Sequence, residues 1–81
     1  MEDRLNFLLE EFNDSQAQLT ELRDFLETHS ENPTAVSYLL SGVINTAREQ
    51  GKLLVNLGTF GINSIEDAVV AYTRQKTNRE E

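Results

Sequence analysis

Apolar residues recur at Leu5, Leu8, Phe12, Leu19, Leu22 and Leu26, three or four positions apart, with Ser15 filling the single gap. After a break at His29-Ser30-Glu31-Asn32-Pro33 the rhythm resumes at Val36, Leu40, Val43, Ala47, Gln50, Leu54 and Leu57. Sustained three-four spacing predicts two helices, each carrying a narrow apolar seam. Folding the chain about Glu31 sets the seams against each other: Leu26 faces Val36, Leu22 faces Leu40, Leu19 faces Val43 and Ser15 faces Ala47. Phe12 then faces Gln50, Leu8 faces Leu54 and Leu5 faces Leu57. The weak positions Ser15 and Ala47 coincide. Gln50 is the one polar intrusion, and its amide is expected to reach solvent or another chain, because a buried unpaired amide is costly. The pattern predicts an all-α chain built as a long, coiled-coil-like antiparallel helical hairpin.

Local signals place the ends. The first helix is expected over about 2–28, with Glu2 and Asp3 at the positive end of its dipole and His29 near the negative end. Asn32-Pro33 starts the second, expected over 33–57: Asn caps free N–H groups, and Pro at the first position gives up no hydrogen bond. Gly42 and Gly51 fall inside it and off the seam, where they permit a close neighbour or a bend, Gly51 the better place for a bend. Gly58 is the expected left-handed cap. Ser64 with Asp67 opens a short third helix over about 65–75, with Ile65, Ala68, Val69 and Tyr72 as its apolar stripe and a frayed tail over 76–81. The whole chain, 1–81, reads as a single small helical domain.

At 81 residues such a domain is only marginally stabilised by its core, and without cysteine no disulfide or thiolate metal site supplements it. The opening Met-Glu-Asp-Arg has no secretory character, and no apolar run approaches the roughly 20 residues of a bilayer span, so a cytoplasmic location and no membrane partner are expected. The net charge of −7 is uneven: residues 2–29 carry eight acids against Arg4 and Arg23, whereas 33–57 hold only Arg48, Glu49 and Lys52. A phosphate backbone would be repelled by the first helix, so direct nucleic-acid binding is not expected.

The inventory for catalysis is thin. His29 is the lone histidine and has no acid three residues before it, so the Glu-x-x-His ligand pair of helical metal sites is absent. Glu10, Glu11 and Asp14 are the densest carboxylate group, but acid–base work needs a cleft that separates their pKa values. No P-loop or nucleophile elbow is present. The chain is expected not to be an enzyme and to take no cofactor, metal or small-molecule substrate. Gly61-Ile62-Asn63 resembles the turn of helix-hairpin-helix DNA-binding modules, yet Asn63 replaces the second glycine and Glu66-Asp67 stand where phosphate would approach, so a helix-capping turn accounts for these residues.

The informative feature is apolar surface beyond what the seam uses: Phe7, Leu9, Phe25, Tyr38, Leu39, Ile44, Leu53 and Val55. Excess on more than one helical face is commonly buried in another chain. Phe7, Phe25, Tyr38, Leu39, Ile44 and Val55 are the candidate partner-binding residues. The third helix leaves the second at Leu57 and reaches the open end of the hairpin most easily, so the turn-proximal group is the best contact surface. In size, acidity and helix order the chain is similar to small helical-hairpin assembly chaperones, such as type III secretion needle co-chaperones and phage tail-fibre chaperones. The reading is a small acidic protein-interaction module (adaptor, assembly chaperone or inhibitor) that binds another protein. The alternative is a structural, self-associating bundle subunit forming a homodimer or higher assembly.

Overall fold

Two capping segments set the architecture. At the first, His29 N–H donates to the Phe25 carbonyl at 2.9 Å and Asn32 N–H to the His29 carbonyl at 3.0 Å, which closes a tight reversal. Asn32 Oδ1 then accepts from the N–H groups of Thr34 and Ala35, both at 3.1 Å, so two donors that a new helix leaves free are satisfied by one side chain. At the second, Asp67 N–H donates to Ser64 Oγ at 3.0 Å. The computed structural model describes residues 2–80, with side chains from 3 to 77. Among these residues lie three helices and no strand: α1 at Glu2–Thr28, α2 at Pro33–Leu57 and α3 at Ile65–Glu80, with a 3-10 turn at Gly58–Phe60. The hairpin with a third helix is therefore the architecture, and α1 and α2 have the expected limits. The third helix runs to Glu80, past the expected end near Gln75, so the frayed tail is helical through that residue; Glu81 lies outside the described residues.

The left-handed cap lies later than expected. Gly58 has right-handed helical angles, φ −57° and ψ −29°, and continues the rod into the 3-10 turn. Gly61 is the left-handed residue, with φ 83°. Ile62 N–H reaches back to the Leu57 carbonyl at 3.2 Å, the long bond that closes a helix ending on a left-handed glycine. Three extra residues of helical path let Phe60 and Ile62 turn inward onto the core.

That core sits at the open end. Leu8, Leu9, Phe12, Leu57 and Ala68 are buried, and Leu5, Leu53, Leu54, Phe60, Ile62, Ala71 and Tyr72 pack around them. Leu9 and Leu53, expected as surplus, belong to this cluster, Leu9 within it and Leu53 packed against it. The face α3 uses is Ala68, Ala71 and Tyr72; Ile65 and Val69 of the expected stripe stay 45% and 42% exposed. Alanines let the helix axes approach, and β-branched side chains on the same line would hold them apart.

The helix register is shifted from the expected one. Gln50 Nε2 donates to Ser15 Oγ at 3.1 Å and to Gln16 Oε1 at 2.7 Å, so Gln50 faces Ser15 and not Phe12, three residues further along α1. Ser15 in turn donates to the Phe12 carbonyl at 2.6 Å. Consistently, a Cβ built on Gly42 would lie 3.2 Å from Leu22 Cδ2, so this glycine is where α1 comes close, and α2 continues through Gly51 as one helix. Thr46 is buried in place of Ala47, and Leu40 turns out to solvent. The expectation that the Gln50 amide leaves the fold is overturned: the residue is 5% exposed, and two side chains of α1 accept its donors. No helix among the described residues is long and apolar enough to cross a membrane.

Candidate functional site

The exposed side of the hairpin follows from helical spacing. On α1, Phe7, Glu11, Asp14, Gln18, Phe25 and His29 succeed one another at intervals that fall on one line at 3.6 residues per turn. Asn13 and Gln16 lie on roughly the opposite side of α1 by the same rule. It is there that α3 sits, with Val69, Tyr72 and Thr73 lining a crevice against Phe12, Asn13 and Gln16. The line from Phe7 to His29 therefore borders the face of the hairpin that α3 leaves open, and two grooves lie along it.

The turn-end groove has a volume of about 480 Å³ and is lined by Phe25, Ala35, Tyr38 and Leu39, with His29, Asn32 and Thr34 at its edge. Its walls are apolar because Phe25 comes from the last turn of α1 and Tyr38 from the second turn of α2, beyond the reach of α3. The His29 ring is fixed there: Nδ1 donates to the Phe25 carbonyl at 2.9 Å, and the rings of Phe25 and His29 stand 6.3 Å apart at 56°. The same carbonyl also accepts from the His29 N–H, so one oxygen at the helix C-terminus holds both the backbone and the ring of His29.

The second groove, of about 490 Å³, lies nearer the open end between α1 and α2. Phe7 and Leu53 form one end, Glu11, Asp14 and Glu49 stand around it, and Ser15 and Thr46 contribute buried polar side chains. Glu49 meets Lys52 at 3.5 Å, with both side chains about two-thirds exposed, a solvent-screened pair of little weight. Among the described residues no three carboxylates or imidazoles come together as a metal site.

Of the residues singled out from the sequence, Phe25, Tyr38 and Leu39 share the turn-end groove, and Phe7 lines the second groove on the same face. Tyr38 is 80% exposed, Phe7 60% and Phe25 45%, while Leu39 is half-buried. Ile44 and Val55 are exposed but line neither groove; they fall with Leu40 on another line of α2. The gathering of Glu11, Asp14 and Glu49 around Thr46 escaped sequence reasoning, because it depends on the register. The legible part was the Glu11–Asp14 spacing, which puts two acids on one side of α1. No protein-family model, curated protein or solved structure matches the chain, so the site is argued from its geometry.

Proposed function

We propose that the chain is a protein-interaction module that binds another cytoplasmic protein through the turn end of its hairpin, as an adaptor, assembly chaperone or inhibitor. One observation carries this reading: Phe25, Tyr38 and Leu39 surround an apolar groove at the end of the molecule farthest from the core. The buried core lies at the other end, and here Tyr38 is 80% exposed while Phe25 is 45% exposed with only the His29 ring beside its own. Aromatic anchors around a pocket are the usual energetic centre of protein interfaces. A second reading, self-association, is favoured by Leu40, Ile44 and Val55, which are 47%, 58% and 75% exposed along one side of α2.

Site-specific photo-crosslinking in the source cell tests the proposal, with a photoreactive phenylalanine analogue in place of Tyr38. A discrete adduct with a different protein, lost when Phe25→Ala is added, is the expected result. Adducts only with further copies of the chain would select the second reading. Light scattering on a size-exclusion column would agree with that, showing a dimer at micromolar concentration that Phe25→Ala with Tyr38→Ala returns to monomer. No adduct at all refutes both.

A further inference from the structure

The two grooves share one face, and their chemistry changes along it. Phe25 and Tyr38 make one end apolar, Phe7 and Leu53 make the other end apolar, and Glu11, Asp14 and Glu49 gather between them. Phe7 and Phe25 are eighteen residues apart on α1, about 27 Å or five turns. We infer that this face seats a basic amphipathic helix of a partner protein, with apolar side chains in the two ends and a central Lys or Arg among Glu11, Asp14 and Glu49.

Three observations support the assignment, which rests on the protein-binding reading above. First, the shape suits a helix: the valley between α1 and α2 already takes one on its other side, where α3 packs through Ala68, Ala71 and Tyr72. Second, the charge selects the occupant. Glu11 and Asp14 have no ion-pair partner among the described residues, and Glu49 has only the loose contact with Lys52. A second copy of this chain brings a net charge of −7 to the same face, so a basic foreign helix is the complementary partner. Third, Thr46 is 7% exposed and lines the acidic groove, yet its hydroxyl has no hydrogen-bond partner among the described residues. Thr20, Thr28, Ser41 and Thr73 each donate to the carbonyl four residues back; Thr46 does not. That hydroxyl is not sealed in the core but opens into the groove, where an N–H donor of a partner can reach it. A guanidinium or ammonium head complements the acids, and a guanidinium N–H can also reach the Thr46 oxygen.

The probe is a synthetic helical peptide with leucines about five turns apart and arginines on the same side between them. A second peptide carries glutamates in place of the arginines. Titration of the isotope-labelled protein, followed by its amide NMR signals, reads both location and affinity. The arginine peptide is expected to shift signals along Phe7–His29 and Tyr38–Leu53, spare α3, and bind at least about tenfold more tightly than the glutamate peptide. Glu11→Gln with Asp14→Asn is expected to remove that preference, while Glu27→Gln with Glu66→Gln leaves it intact; circular dichroism checks that both variants fold. Equal binding of the two peptides, lost on Phe25→Ala with Tyr38→Ala, would overturn the basic-helix assignment and leave the protein-binding reading standing. Shifts spread over every acidic surface, or none on this face, would overturn it as well. So would broadening of the same signals with protein concentration alone, which would mean that a second copy takes the place.

Discussion

Replacing Gln50 by alanine tests the register at its one polar layer. The amide gives both its donors to α1, to Ser15 Oγ and Gln16 Oε1, and the residue is 5% exposed. Two neutral hydrogen bonds at about 1 kcal/mol each and one buried methylene at about 0.8 kcal/mol give an expected cost of about 3 kcal/mol. A chain of this length has a total stability of about 4–12 kcal/mol, so the loss is a large share of the whole. Urea melts followed by far-ultraviolet circular dichroism measure it, and the thermal midpoint falls by about 12 °C or more. Ser15→Ala alone removes one of the two acceptors. In the double variant that bond cannot be lost twice, so the combined cost is expected to fall short of the sum by about 1 kcal/mol. Gln18→Ala, on the exposed side of α1, should change stability by no more than about 0.5 kcal/mol. Additivity of Ser15→Ala and Gln50→Ala within about 0.3 kcal/mol would refute the contact, and with it the observed alignment of the helices.

Phe12 is 1% exposed, so Phe12→Ala is expected to cost about 3–5 kcal/mol; half-buried Leu22→Ala should cost about 1–2 kcal/mol. Equal costs in urea melts would contradict a core placed at the open end. A Cβ on Gly51 meets nothing within 4 Å, so Gly51→Ala should stabilise by about 1 kcal/mol through helix propensity. Gly61→Ala forces an alanine to the left-handed φ of 83° and should destabilise by about 1–2 kcal/mol, the opposite sign in the same thermal assay.

The helix starts were legible because their causes are local, whereas the end of α3 at Glu80 and the left-handed cap at Gly61 were not. Asn32-Pro33 and Ser64 announce starts within a few residues, and the structure shows their side chains or positions acting as caps. The register was not legible, because α2 offers two seams that share Val36, Val43, Gln50 and Leu57. One adds Leu40, Ala47 and Leu54; the other adds Leu39, Thr46 and Leu53. They differ little in apolarity, so hydrophobic periodicity cannot rank them. The choice comes from a long-range bond: with Ser15 and Gln16 beside it Gln50 is satisfied, whereas against Phe12 it would be buried without a partner. The turn-end group was legible because Phe25, Tyr38 and Leu39 flank the reversal in any register. The acidic groove was not, since Glu49 joins Glu11 and Asp14 only once the alignment is set.

The placement of the core at one end bears on how occupancy and rigidity are linked. Local opening is cheapest where few apolar side chains are buried. In this molecule that is the stretch beyond Gly42 and Leu22, the same stretch that carries Phe25 and Tyr38. A partner seated there adds binding energy to the least secured third of the hairpin, and at a hundredfold excess over its dissociation constant the gain is about 2.7 kcal/mol. The free hairpin is expected to open first at its turn and an occupied one to resist it, so slowed amide exchange in residues 22–43 is the expected report of occupancy, even from a partner that leaves the helical content unchanged.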